Sequence, residues 1–230
     1  MIGSVLVSQP TPFTDTDETR IKATVAQAAP VLANLRSLAL AEYRANNDSL
    51  TGLPNKRATE DTLKRMVAQA GRSLTPLAAV MVDLDHFKAI NDRFGHALGE
   101  EVLAAVGTAI SSSLRISDFA GRFGGEEFLI LLPETGLDAA WQVAEKIRTT
   151  VAAISIPGVE REITASLGVA GLLEHAGNAT GLLREADRAQ YSAKAAGRNR
   201  TTMAPDPASF SGEAAVEVAA PVAVAAPSPR

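Results

Sequence analysis

The chain contains no cysteine, which excludes disulfides and thiolate metal sites and makes zinc an unexpected ligand. It also lacks an excess of positive charge: 22 basic against 26 acidic residues leave a formal net charge of -4 and a pI near 5.5. With no bulk attraction for polyanions, nucleic-acid polymers and anionic membrane surfaces are not expected partners. Any phosphate ligand must then be met by local cations or a metal ion. Nowhere does apolar character persist for about 18 uninterrupted residues, the length a membrane-spanning helix needs. Met1 to Val7 holds no basic residue and is followed by Pro10 and Pro12, so a signal peptide is not expected either. Together these absences predict a cytoplasmic chain.

What is present suits a folded domain. Hydrophobic residues make up 46% of the 230 and charged residues 21%, a globular balance in a length that holds one ordinary domain with flanking segments. Residues 1–46 form the first segment: a strand-like stretch from Met1 to Val7, cap-type residues from Thr14 to Glu18, and a helical pattern from about Thr19 to Asn46. Val25, Ala28, Leu32, Leu35 and Ala39 recur at steps of three and four, the spacing of a coiled-coil seam and equally of an amphipathic helix on one core. Pro30 either kinks this helix or marks its start.

The polar, turn-rich stretch Asn46 to Pro54 reads as a hinge into the main domain, residues 47–203. Helices are predicted over Lys56–Arg72, Gly99–Leu114, Leu137–Ala153 and Leu182–Ala196. Strands are predicted over Leu77–Leu84, Glu162–Leu172 and Asn199–Met203, with a hairpin of Phe119–Phe123 and Glu127–Leu132. The pair Gly124-Gly125 is expected to supply positive φ at the hairpin turn. Helices mixed with a hairpin exclude a purely parallel sheet, so the predicted class is α+β. From residue 204 to 230 the composition collapses to Ala, Pro, Val and Ser, which predicts a disordered tail.

Leu77 to Leu84 is almost continuously apolar, as for a strand covered on both faces, and Asp83 and Asp85 stand at its end. Residues two apart share a strand face, so the pair can aim at one point if the strand runs through Asp85. A solvated turn capping the next helix fits the same acids. Glu126 and Glu127 follow the double glycine, where a hairpin tip can present a carboxylate to a cleft or simply leave it in solvent. Convergence of Asp83, Glu126 and Glu127 would gather hard oxygen ligands from two strand ends, which suits Mg²⁺ shared with substrate phosphates. Such a site predicts phosphoryl chemistry.

Four segments together resemble one family, the diguanylate cyclases named for a Gly-Gly-Asp/Glu-Glu-Phe signature. They are Asp48-Ser-Leu-Thr-Gly-Leu-Pro-Asn-Lys-Arg57, Asp83-Leu-Asp-His-Phe-Lys-Ala-Ile-Asn-Asp92 with Phe94-Gly-His96, Gly121-Arg-Phe-Gly-Gly-Glu-Glu-Phe128, and Tyr191-Ser-Ala-Lys-Ala-Ala-Gly-Arg-Asn199. The resemblance implies a fold like that of nucleotidyl cyclases and polymerase palms: a central, mostly antiparallel five-stranded sheet flanked by helices. It implies condensation of two GTP into cyclic di-GMP across a homodimer interface, with Mg²⁺ as cofactor, two ions per active site, and Mn²⁺ able to substitute. Asp83, the carbonyl of Leu84, Glu126 and Glu127 would hold metal, and Glu126 would also accept a proton. Asn91 and Glu100 would read the guanine edge with His96 close by. Lys194, Arg198 and the backbone N–H groups of Phe87 and Lys88 would hold the distal phosphates. Many family members carry Asp where this chain has Glu100, so the carboxylate here reaches from one methylene further away.

Arg115-Ile-Ser-Asp118 stands where the family has an inhibitory product site. The resemblance implies feedback by cyclic di-GMP at Arg115 and Asp118, with Arg122 or Lys146 reaching in from a neighbouring subunit. Ile2 to Val7, Pro12-Phe-Thr-Asp15 and the helix ending near Arg44 resemble the last strand and closing helix of a GAF sensor domain. Two other classes of function compete with the enzyme: a catalytically silent cyclic di-GMP receptor and a structural dimerisation module.

Overall fold

The computed structural model describes residues 12–206. The expected strand at Met1 to Val7 and most of the expected disordered tail therefore lie outside the described residues. Helix α1 spans Asp15–Asn46 and runs unbroken through Pro30. It begins where side chains satisfy its first amides: Thr14 accepts from Asp17 N–H, and the Asp17 carboxylate returns the bond to Thr14 N–H. No residue of α1 is buried, and Val31, Leu32, Leu35, Leu38 and Tyr43 are all more than half exposed.

After α1 come α2 (Lys56–Ser73), β1 (Leu77–Leu84), α3 (Phe87–Phe94), α4 (His96–Ser113), β2 (Phe119–Arg122) and β3 (Glu127–Pro133). They are followed by α5 (Leu137–Ala152), β4 (Ala165–Gly171), α6 (Ala179–Ala195) and β5 (Thr201–Met203). The sheet order is β2-β3-β1-β4-β5. All neighbours are antiparallel except β4 and β5, which are parallel. This is the expected α+β class with a five-stranded, mostly antiparallel sheet.

Every residue of β1 is buried because helices cover both of its faces. Ala78, Val80, Val82 and Leu84 point to one core with Phe87 and Ile90 of α3, Val102 and Val106 of α4, and Ala144 and Ile147 of α5. Leu77, Ala79 and Met81 point to the other, with Leu63 of α2 and Leu182 and Ala186 of α6. This alternation, set by the two-residue period of a strand, decides which side of the sheet each acid reaches. Asp83 continues the face of α2 and α6.

The strand at Glu162–Leu172 is shorter than expected, starting at Ala165, and α3 is a helix the hydrophobic pattern did not single out. Gly124 and Gly125 are absent from the positive-φ residues, which among glycines are Gly52, Gly95, Gly158 and Gly197. The expected reason for the double glycine is therefore corrected. Space, not φ, distinguishes Gly124: the Glu127 carboxylate occupies the place a Cβ would take and would have to move aside for one.

Candidate active site

The hairpin tip brings Glu126 to the wall of a cleft of about 780 Å³. Asn91, Phe87 and Lys88 of α3 line the same cleft, as do His96 and Glu100 of α4, Asp48, Arg122 and Gly125. The Asn91 amide packs into the space left by Gly99 of α4, where a Cβ would push its oxygen aside. The first amides of α3 receive no side-chain cap, as its N-cap residue, His86, makes no such bond. A helix start in that condition presents N–H donors and positive dipole to an anion.

Glu127 is the cross-strand partner of Asp83. The Lys194 ammonium of α6 stands 2.6 Å from Asp83 Oδ1. That oxygen is buried, and the Lys194 ammonium is its charged partner.

All three carboxylates are held above their ordinary pKa. Burial raises Asp83 most; Lys194 opposes this, and the charges of Asp85 and Asp187 reinforce it. Burial and then the Asp83 charge raise Glu126. For Glu127 the causes are burial, Asp83 and Asp187, with Lys194 and Lys56 opposing. The place is short of positive charge. Among the described residues no three His, Asp or Glu side chains form a ready-made metal cage, which is also the condition of a Mg²⁺ site completed by water and substrate oxygens. The hard oxygens, and a burial cost at Asp83 that the single Lys194 cation does not offset, fit a divalent cation.

Asp85 departs from both readings of the Asp-x-Asp pair. β1 ends at Leu84, and the Asp85 carboxylate turns to Thr164, Ser166 and the backbone of Asn199 instead of joining Asp83 or capping α3.

Arg122, expected to reach the Arg115 and Asp118 site of a neighbouring subunit, is engaged within its own chain. Its Nη1 donates to both oxygens of Asp48 at 3.0 Å, while Nη2 and Nε donate to the Gly125 carbonyl at 2.6 and 3.2 Å. Arg122 thus belongs to the Glu126 cleft and ties the hairpin tip to Asp48, just after α1. Arg115 lies on a different cleft, of about 520 Å³, with Ser117, Thr75 and Glu134. Asp118 spends one carboxylate oxygen on the Arg115 backbone N–H at 2.9 Å. Lys146 donates to the Ser113 carbonyl within its own chain.

Asp48 is a residue that sequence reading quoted but gave no role. Burial raises its pKa, but bonds from the Thr51 N–H and hydroxyl and from Arg122 outweigh that, and the net shift is downward. An acid with a depressed folded-state pKa contributes stability above its unfolded pKa and loses it as pH falls through the folded value. The Asp48 contribution is therefore expected at neutral pH and fades below about pH 4. In acid titrations followed by circular dichroism, Asp48→Asn should be less stable than the parent at pH 7, with the difference shrinking towards pH 3.

Comparison with known proteins accords with this geometry. Residues 45–200 match the family described as diguanylate cyclase, GGDEF domain. The chain is 42% identical over 165 residues to diguanylate cyclase DgcP of Pseudomonas aeruginosa, covering 70% of this chain and 24% of that one. It is 41% identical to diguanylate cyclase DgcM of Escherichia coli, covering 71% of this chain and 39% of that one. It thus spans less than half the length of these relatives. Among solved structures, the coiled coil and GGDEF domain of DgcB from Caulobacter crescentus, in complex with c-di-GMP, superposes with a TM-score of 0.72 at 30% identity. That match covers 80% of this chain and 99% of the other. The active GGEEF domain of a Vibrio cholerae diguanylate cyclase gives 0.62 at 36% identity, covering 66% and 97%.

Proposed function

This chain belongs to the diguanylate cyclase family defined by the GGDEF domain, and from that premise we propose that it condenses two GTP into cyclic di-GMP with release of two pyrophosphates. The observation that carries the reading is convergence: Glu126, Asn91, His96 and Glu100 line one cleft, and buried Asp83 stands across the sheet from Glu127.

Glu100 and Asn91 read the base. A carboxylate accepts from guanine N1–H and the exocyclic amine, a donor pair adenine lacks, so GTP is preferred to ATP. Asp83, the Leu84 carbonyl, Glu126 and Glu127 would hold Mg²⁺, two ions per site or Mn²⁺ in their place. When bound, the metal supplies Lewis-acid activation of the α-phosphate and neutralises the leaving pyrophosphate. Glu126 takes the proton of the attacking ribose 3′-OH, as a carboxylate placed at the wall of the nucleotide cleft can. Lys194, freed from Asp83, and Arg198 take the distal phosphates, helped by the N–H groups of Phe87 and Lys88.

A two-fold symmetric product calls for two nucleotides facing each other, hence two subunits in an isologous pair. Residues 47–203 form the catalytic domain in this reading, and α1 brings two of them together along its exposed apolar side chains. The specific rate should fall when protein is diluted below its self-association range. A rate per chain that stays constant there, with monomer verified by light scattering, would contradict pairing.

Product inhibition is assigned to Arg115 and Asp118. Arg115→Ala should shift the inhibition curve by cyclic di-GMP to higher concentration without lowering the uninhibited rate. An unchanged curve removes this site. Among the described residues no helix is long and apolar enough to cross a membrane.

A further inference from the structure

Asp85 is 3% exposed, and the chemistry above gives it no task. Its carboxylate is nonetheless fully engaged. Oδ1 accepts from the Ser166 hydroxyl at 2.7 Å, and Oδ2 accepts from the Thr164 hydroxyl and from the Asn199 N–H, both at 2.9 Å. Two of these partners lie in or beside β4, which β1 already pairs with through its own ladder. The third belongs to the turn that leaves α6 and leads into β5.

That turn is Gly197-Arg198-Asn199, with φ of 115°, 64° and 44°. Left-handed backbone is unfavourable for residues that carry a Cβ, and it persists only where the surroundings impose it. Asn199 is held from two sides. Asp85 takes its N–H, and Arg148 donates to its side-chain oxygen at 2.8 Å while itself paired with Glu145. An N–H bond to an ionised, buried acceptor is among the stronger protein hydrogen bonds. The turn carries Arg198, and Lys194 lies in the last turn of α6 just before it. At its other end the clamp is anchored two residues from Asp83.

We propose that Asp85 is a positioning residue: through the Asn199 N–H it locks the turn after α6, and so fixes Lys194 and Arg198 at the distance from Asp83 that a triphosphate requires. The proposal rests on the GTP reading above. Asp85 touches no substrate, and its effect passes entirely through Asn199.

The test compares GTP, supplied as its α,β-methylene analogue that cannot release pyrophosphate, with GMP, each with Mg²⁺, by calorimetry on the full chain, together with hydrogen exchange at the Asn199 amide. Asp85→Ala should weaken GTP about tenfold, the scale of losing a hydrogen bond to a charged group, and leave GMP unchanged, because Asn91 and Glu100 are untouched. Asp85→Asn should restore most of the difference. Its oxygen can still accept from Asn199 and its amide can donate to the Ser166 hydroxyl. Thr164→Val removes one donor to Asp85 but not the turn, and should keep the wild-type ratio. Arg148→Met releases the turn from its other side and should also weaken GTP selectively, which keeps the test open if Asp85→Ala does not fold. Asn199 exchange should accelerate in both Asp85→Ala and Arg148→Met.

Equal losses for GTP and GMP would overturn the proposal, as would unchanged GTP binding and unchanged exchange in Arg148→Met and any folded Asp85→Ala. Failure of the GTP reading itself looks different, because the wild-type protein would then not bind GTP more tightly than GMP, while exchange at Asn199 would still report whether the clamp exists.

Discussion

Asp83→Asn is expected to lower cyclic di-GMP synthesis by at least about a hundredfold, the scale of losing one group that stabilises transition-state charge, while raising the melting temperature of the metal-free protein. The two effects have one cause. Burial holds the Asp83 pKa above its ordinary value of 3.8, so the folded protein binds this proton more tightly than the unfolded chain does. For an acid shifted upward, the charged form costs stability above the folded pKa, and that cost fades as pH falls towards the unfolded value. Asparagine removes the charge at neutral pH. The Lys194 side chain it leaves behind is 28% exposed and can turn its ammonium to water. Mg²⁺ should relieve the same cost in the wild-type protein, so added Mg²⁺ should raise its melting temperature and leave that of Asp83→Asn nearly unchanged. A variant that is inactive and also less stable without metal would show that the Lys194 pair outweighs burial.

Gly168→Ala should be the most damaging single methyl in the fold. Gly168 lies in β4 directly beneath α6, and an added Cβ would fall on Gln190 N and Ala186 O and within 2.8 Å of Ala189 C. All of these are backbone atoms, so no side chain can swing aside, and α6 must lift from the sheet. Overpacking typically costs about 1–3 kcal/mol and occasionally more. At the upper end this is a fall in melting temperature of roughly 6–12 °C for a protein of this size. Because α6 carries Lys194, nucleotide binding should weaken along with stability. A melting temperature within a degree of wild type would mean that the contact between helix and sheet is looser than described.

Both expectations lean on features of different legibility in the sequence. The β1 limits, Leu77–Leu84, follow from a run that is apolar except for Asp83 near its end, and the hairpin from turn residues between two apolar stretches. The segments containing Asn91, Glu100 and Glu126 pointed to one nucleotide site because family resemblance supplied a spatial relation that spacing alone does not. Helix α3 was missed because eight residues give too few repeats for a helical period to stand out. The Asp48 to Arg122 pair joins residues 74 apart, and Asp85 meets Asn199 across 114. Local pattern carries no trace of such pairings, which exist only once the sheet has formed. The expectation that Arg122 reaches a neighbouring subunit's Arg115 and Asp118 comes from family resemblance, and within its own chain β2 carries it into the Glu126 cleft. Gly168, too, looks in sequence like any small residue in a strand, since its necessity comes from α6 lying over it.

The central claim is met most directly by incubating the purified full chain with GTP and Mg²⁺ and quantifying products by chromatography. The expected result is cyclic di-GMP with two pyrophosphates per molecule formed, no corresponding product from ATP, and loss of product in Glu126→Gln. Absence of cyclic di-GMP at every protein concentration would contradict the account: with nucleotide still bound the chain would be a receptor, and with no binding at all a scaffold.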